Sequence, residues 1–419
     1  MRDRVFGIET EYALIYHPAR GETRRPTNLE LWPLFEQALD ERVRSLPRAF
    51  SLLRAKPGRF LENGASFHYE ATPRDFEHGL LEMASPECRD PFTLLCHERA
   101  KDLLAETLAA RVSGRLRRAG FEGEVRVGKN NVDSQGHTFG SHESYWVDDP
   151  LPAALRLLLA PVWAALWLLT LPALLWLLLA SAGVVLALAG LALLPAVGAL
   201  TARAGHALAR RLPGAGRRLA GAGLRLQLAA MRRLRELQRH PGELPRRLAW
   251  IEAPLGPLLA LHSRVYDRFH FRRIRRDATA FLVTRTLFAG AGAVRLGEGP
   301  PLLRLAQRPP FLRAVSRIFT HGDARPLFES RDVFFRPWSA FGSRRRLHLM
   351  LGDANLCDWA LVLRVGATAL VLEAIESGAA VDWPQLAAPL DALRTVNEDP
   401  ERTARLPLRE GPPATALTL

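Results

Sequence analysis

From Leu157 to Leu200 the chain carries no charged side chain, and leucine, alanine, valine and tryptophan fill the run. A bilayer core takes roughly 20 apolar residues per helical crossing, so the length is that of a two-helix transmembrane hairpin. Pro172 or the Ser181–Gly183 stretch would mark its turn. The competing reading is a pair of buried core helices, although a soluble core rarely lacks charged side chains over such a length. Basic sequence follows directly. Between Thr201 and Ala278 there are 18 arginines against Glu236, Glu243, Glu252, Asp267 and Asp277, so this segment holds almost all of the formal net charge of +14. Residues 201–278 therefore suit anionic lipid on the cytoplasmic side of a membrane. Nucleic acid is the weaker expectation as a partner, because the segment has few aromatics to stack on bases and no recognisable motif.

The flanks are nearly neutral and patterned like a globular protein. Val5–Ile15 alternates, with Phe6, Ile8, Tyr12 and Leu14 on one face and Gly7, Glu9, Glu11 and Ala13 on the other. Further strands are expected at Phe67–Glu70, Leu80–Met83, Glu124–Gly128, Tyr145–Val147, Ala280–Thr286 and Arg346–Leu351. Helices are expected at Leu29–Leu46, Pro91–Ala119 and Trp359–Ser377. The reading is an α+β domain in two parts, 1–148 and 279–419, interrupted by an insert over 149–278. The two parts must meet, so both ends of the insert lie on one side of the membrane and crossings come in even number. The expected location is the inner membrane, with the globular part in the cytoplasm. Cys88, Cys96 and Cys357 have no metal-ligand spacing, which fits a reducing compartment, and Met1–Arg4 leads straight into a strand without a signal-peptide core.

Chemistry concentrates in three polar clusters. Glu9 and Glu11, at i and i+2 on a strand, point the same way and suit a shared divalent cation, although a solvated strand face shows the same spacing. Asn63–Glu70 places His68 and Glu70 on one face, and Glu82 follows on a strand that can pair back. Lys129–His137 and Gly140–Tyr145 form a polar stretch rich in ligand-capable side chains, among them His142. Gly290-Ala291-Gly292 reads as a turn or tight packing. Gly352–Asn355 ends a strand beside the expected site, and Arg331 is a candidate phosphate contact because a guanidinium binds phosphate in bidentate fashion.

Taken in chain order, Gly7–Tyr12, Asn63–Glu70, Glu82–Cys88, Lys129–Tyr145, Phe281–Gly292, Arg331-Asp332 and Arg346–Gly378 resemble the family of the Pup ligase PafA and the Pup deamidase and depupylase Dop. Pup is the prokaryotic ubiquitin-like protein. The likeness covers roughly 1–148 and 279–419 and skips the insert. It implies a glutamine-synthetase-like fold, a curved antiparallel sheet with helices packed on one face, holding ATP and Mg²⁺. A ligase of this kind activates a carboxylate as an acyl phosphate, which a substrate lysine attacks to give an isopeptide. The implied partner is a small ubiquitin-like modifier or another protein substrate. By position, Glu9 and Glu82 match magnesium ligands, and Glu11 and His142 are further candidates. His68 stands where the family has a metal-contacting tyrosine, and Glu70 where it has its catalytic aspartate, the general base. Ser66 replaces a nucleotide-contacting arginine, and Ser85 falls at a nucleotide-contacting threonine.

The departures qualify what the resemblance implies. Glutamate at position 70 is one methylene longer than aspartate, and displacements of about 1 Å can cost a hundredfold in rate. Extra residues around Ala71–Glu77 separate this strand from Glu82. The chain stops at Ala414–Leu419, inside a block that continues in the family, so the expectation is a C-terminus truncated relative to it. Three functions stay open: an ATP-dependent ligase, favoured by the short span between the first strand and Asn63; a Dop-like hydrolase of an amide or isopeptide; and an inactive, membrane-tethered binding relative.

Overall fold

The computed structural model describes residues 4–47, 57–72, 75–133, 138–149, 152–239, 248–269, 272–295, 301–317, 325–329, 339, 341–379 and 381–419. The chain divides into two compact units, one made of Met1–Thr72, Glu77–Leu159 and Leu261–Leu419, the other chiefly of Ala160–Ala260.

The first unit is built round β1 (Phe6–Pro18). After it come α1 (Asn28–Asp40), β2 (Ser45–Pro47), β3 (Gly58–Leu61), β4 (Ser66–Thr72) and β5 (Asp75–Ala84). Thr27 starts α1 with a capping box, its hydroxyl accepting from Glu30 N while the Glu30 carboxylate accepts from Thr27 N. The helix stops at Asp40 rather than Leu46, because the next residues turn back into β2. The chain then forms α2 (Pro91–Arg118), capped by Asp90 with Pro91 at its first position, and β6 (Gly123–Gly128) and β7 (Ser141–Asp148). Strand β1 pairs with β7 through Phe6–Thr10, with β5 through Glu9–Tyr12 and with β6 through Ala13–Pro18, always antiparallel. One face of this sheet is core: Tyr12, Phe67, Tyr69, Leu81 and Met83 are buried beneath Leu31, Trp32 and Phe35 of α1 and Ala105, Leu108 and Val112 of α2. Burying each large side chain contributes about 1.5–3 kcal/mol.

The second unit corrects the hairpin expected within the apolar run. Ala153–Ala209 is one continuous helix, α3, passing through Pro161, Pro172 and Pro195, and there is no turn at Pro172 or Ser181–Gly183. Leucine and alanine are strong helix formers, and an isolated proline bends a helix more readily than it ends one when no other turn residue supports it. The chain reverses only after Ala209, and α4 (Pro213–Arg239) then folds back along the end of α3. The seam is made of small residues. A methyl on Gly198 would come within 2.7 Å of Gly223 O and Gln227 N, and Gly205 and Gly216 stand against Ala220 and Ala209. Then α5 (Leu255–Phe269) leads back toward the first unit's chain.

The return segment also differs from expectation. Ala280–Thr286 is helical, not a strand: α6 (Arg272–Asp277), α7 (Thr279–Thr284) and α8 (Thr286–Ala289) follow one another. Thr279, Ala280, Leu282, Val283 and Thr284 are all buried, and a short apolar run buried all round has no period that separates strand from helix. After the small pair β8 (Ala293–Arg295) and β9 (Leu302–Arg304), β10 (Leu312–Arg317), β11 (Arg325–Glu329) and β12 (Arg344–Leu349) complete the large sheet. The order is β10-β11-β12-β7-β1-β5-β4-β3-β2, with β6 on β1. The sheet is mixed rather than wholly antiparallel, because β10 runs parallel to β11. Alternation fixes which face a side chain takes and carries no information on strand direction. Helix α9 (Asp358–Ser377) buries Leu361, Val365, Leu372 and Ile375, and α10 (Pro389–Asn397) follows it.

Candidate metal and anion site

On the face of the sheet opposite the core, pairing decides which polar side chains meet. Glu11 stands across from Glu82 on β5, and Glu9 across from His142 on β7. One strand further, Ser144 stands across from His348 and Trp146 from Arg346. Because alternate residues share a face, Glu9, Glu11, Glu82, His142, Ser144, Arg346 and His348 all project from one side. Glu70 reaches the same place from β4. Two groups of three result. Ligand atoms of Glu11, Glu70 and Glu82 lie within 4.8 Å of one another, and so do those of Glu9, His142 and His348. The first group offers only carboxylate oxygens, the donor set of a hard ion such as Mg²⁺. The second, one carboxylate and two imidazoles, accepts a wider range of divalent ions.

The electrostatics fit a site built for cations. Burial, and then the neighbouring Glu70, push the Glu11 carboxyl above its ordinary range, opposed by Arg308, Arg325 and the Gly140 amide. Three carboxylates this close repel one another, and a divalent ion between them removes that repulsion. On the histidine side, Ser144 Oγ lies 3.0 Å from His348 Nδ1, and the rings of His142 and His348 meet edge to face at 5.3 Å. Arg346 touches Glu9 at 3.3 Å and donates to Ser144 Oγ at 3.0 Å.

Arg308 is the cation of the site that local patterning did not reveal. Its side chain is fully buried, with Nη2 3.3 Å from His142 Nε2 and 3.4 Å from Met350 O. Nε and Nη1 have no hydrogen-bond partner among the described residues. Burial, then the nearby Arg325, lower it to about 10, against the pull of Glu11 and Asp353. A buried guanidinium with two unused donors is prepared for an anion with several oxygens.

The profile of the family described as Pup-ligase protein matches residues 4–419. The chain belongs to that family. It is 24% identical over 420 residues to a Pup–protein ligase of Paenarthrobacter aurescens (strain TC1), covering 100% of this chain and 61% of that one. A Pup–protein ligase of Acidimicrobium ferrooxidans is 24% identical over 406 residues, covering 96% and 58%. Thus the chain spans about three fifths of the length of these relatives. The crystal structure of the complex between Pup and its ligase PafA superposes with a TM-score of 0.57 at 21% identity, over 99% of this chain and 55% of that one, which shows a shared fold.

Within this family member the residues expected at the site have different places. Glu9, Glu11, Glu70, Glu82 and His142 are brought together. His68 is not: the metal role expected for it gains no support, since it joins neither group of three. Its ring stands edge-on to Phe60 at 6.3 Å and against Gly58, where a Cβ would collide with it. Ser66 is buried on β4. Ser85 acts as a strap, its hydroxyl accepting from Ile8 N at 3.0 Å and donating to Pro86 O at 2.9 Å. Arg331 lies outside the described residues. Asp353 is structural: its carboxylate accepts from the amides of Ala291, Gln307 and Arg308 at 3.0, 2.9 and 3.1 Å, which also explains the Gly290-Ala291-Gly292 turn. His348 and Arg346 were missed, although Arg346–Leu351 had been expected as a strand and the same alternation sets both on one face. A cleft of about 600 Å³ lies elsewhere, lined by Tyr12, Asp102 and Lys129. Of its acids, Asp102 is already engaged, accepting from Tyr12 Oη at 2.7 Å and from Lys129 Nζ at 2.9 Å.

Proposed function

We propose that the chain is an ATP- and Mg²⁺-dependent carboxylate–amine ligase that joins a small ubiquitin-like modifier to a lysine of a protein substrate. The observation that carries this reading is the pairing of two groups of three, one of carboxylates alone and one of a carboxylate with two histidines, with the buried, under-used Arg308. Glu11 and Glu82 would hold one Mg²⁺, and Glu9 with His142 and His348 a second ion; such ions would offset the negative charge that develops during phosphoryl transfer. Arg308 orients the terminal phosphate of ATP so that a substrate carboxylate attacks it, ADP leaves and an acyl phosphate forms. The lysine amine then attacks the acyl carbon, Glu70 takes the proton the amine loses, and phosphate leaves as the isopeptide closes. Glu70 lies in the same group as Glu11 and Glu82, so this base would stand beside the ion that those two would hold. Nucleotide contact by Ser66, Ser85 and Arg331 belongs to the same proposal.

The insert supports a location at the cytoplasmic face of the inner membrane. None of the most apolar stretch of α3 is buried, and among the described residues it is the one helix long and apolar enough to cross a membrane. The activity is tested by incubating the whole protein with Mg-ATP and candidate small acidic proteins. Release of ADP together with an isopeptide-linked product is expected. Cleavage of an amide without net ATP turnover would replace the ligase by a hydrolase. No turnover with any of them would leave a binding protein.

A further inference from the structure

The membrane reading above leaves open how the insert meets the bilayer, and two observations conflict with a crossing. The first is connectivity. Strand β7 ends four residues before α3 begins, and β12, which lies beyond the insert, pairs with β7 over Arg344–Leu349. The chain must therefore leave and re-enter on the same side. A single crossing by α3 would need a second apolar helix to return, and among the described residues there is none. The second is the company α3 keeps. At about 1.5 Å per residue α3 is about 85 Å long, far more than the roughly 30 Å of a hydrocarbon core. Its last dozen residues are sealed against α4 by the glycine and alanine seam. Helix α4 carries Arg217, Arg218, Arg225, Arg232, Arg233, Arg235 and Arg239 against the single acid Glu236. Upright in the bilayer, α3 would leave more than half of its uncharged run, Leu157–Leu200, outside the hydrocarbon.

We infer that α3 lies in the plane of one leaflet and does not cross, with α4 as a second layer that carries the charge. The two outer faces differ as this requires. On α3, Leu168, Leu175, Leu179, Leu186, Leu193 and Leu200 are all exposed. On α4, residues 216, 220 and 223 face α3, and at 100° per residue Arg218, Arg225 and Arg232 fall on the opposite side, all exposed. An interfacial helix sinks about 5–10 Å into the boundary between headgroups and acyl chains. With α3 at that depth, a helix packed one layer above it holds its arginines at the level of the lipid phosphates. The occupant of this surface is an anionic bilayer leaflet, chosen by an apolar face backed by a basic one. This inference rests on the membrane reading of the previous subsection and is distinguishable from it.

The test uses the full chain with Cys96→Ser and Cys357→Ser, both cysteines being exposed, and a reporter Leu212→Cys in the exposed turn between α3 and α4. The protein is added to preformed vesicles of phosphatidylcholine, alone or with one third phosphatidylglycerol. The expected result is flotation with the anionic vesicles and full reaction of the thiol at position 212 with an impermeant maleimide from outside. The combined variant Arg218→Gln, Arg225→Gln, Arg232→Gln should partition roughly a hundredfold more weakly, from about 1 kcal/mol per arginine at an anionic surface. Flotation with the thiol protected until detergent is added would overturn the in-plane arrangement and keep the membrane reading. Equal flotation with both vesicle types, or no effect of the triple variant, would overturn the role of the arginine face. No flotation, with the chain self-associating through α3 instead, would overturn the membrane reading itself.

Discussion

Lys101 sits on the core side of the sheet, directly behind the carboxylates, and its removal should loosen the strands that carry them. Its ammonium is nearly buried and donates to Ile8 O at 3.2 Å, Met83 O at 2.9 Å and Thr10 Oγ1 at 3.4 Å. It forms an ion pair with Glu98 at 2.6 Å, while Glu98 Oε2 accepts from Thr10 Oγ1 at 3.0 Å. Ile8 and Met83 are the chain neighbours of Glu9 and Glu82, so one cation ties both ligand-bearing strands to α2. Lys101→Met leaves Glu98, 1% exposed, as a buried charge without its partner. Breaking a buried pair in this way costs roughly 3–5 kcal/mol, where the pair itself adds little over an apolar replacement. At about 1.4 kcal/mol per decade, the opening constant should rise by two to three and a half orders of magnitude. Cys88 reports it, being buried and bridged to Phe6 by two backbone hydrogen bonds of 2.9 and 2.8 Å at the edge of this region. With the two exposed cysteines replaced by serine, the rate of thiol labelling at Cys88 follows opening of the strand. The double variant Glu98→Gln, Lys101→Met should return most of the loss. Labelling of Lys101→Met within about threefold of the parent, or a double variant as labile as the single, would refute the reasoning.

The same thiol and simple binding assays check the rest. Arg308→Ala should lower ATP-dependent turnover about a hundredfold to a thousandfold, the range for losing one preorganised donor to a developing anion, with Mg²⁺ affinity largely kept. The raised carboxyl of Glu11 means the metal-free fold holds a proton more tightly than the unfolded chain, so stability is full below pH 4.5 and is lost as pH rises through the raised value. Mg²⁺ should therefore protect more at pH 8 than at pH 5, adding about 2.7 kcal/mol at a hundred times its Kd, as read by slower Cys88 labelling. Burial raises Asp149 from 3.8 to about 6 against the pull of Arg345, so its contribution also falls as pH climbs through that interval. Asp149→Asn should stabilise the protein by about 1–3 kcal/mol at pH 7.5 and change little below pH 4.

The parts of the fold that local pattern encodes were legible in the sequence. Strand β1 alternates so cleanly that Glu9 and Glu11 could be set on one face without a structure, and Asp90-Pro91 announced the start of α2. Partners distant in sequence were not. Arg308 lies 166 residues from His142, and nothing in its neighbourhood marks it as buried. His348 lies across from Ser144 only because β12 adds to β7 beyond the whole insert. The core side shows the same limit: Glu143 is gripped by Arg285 at 2.8 and 3.0 Å and by Tyr145 Oη at 2.6 Å, a network that holds Glu143 below the usual carboxylate range despite full burial. In sequence it looked like one more candidate in a polar block. The apolar run failed differently. Its composition allowed two helices or one, and the small-residue seam that places the reversal after Ala209 becomes visible only when α4 is laid against it.

The central claim is that one sheet face holds two divalent ions in adjacent groups of three. Titrating the whole protein with Mn²⁺, followed by the loss of the free-ion paramagnetic resonance signal, measures this directly. The account predicts two ions per chain, with Glu11→Gln combined with Glu82→Gln removing one and His348→Ala the other. Stoichiometric binding unchanged by both sets of variants, or no binding at millimolar Mn²⁺, would contradict it.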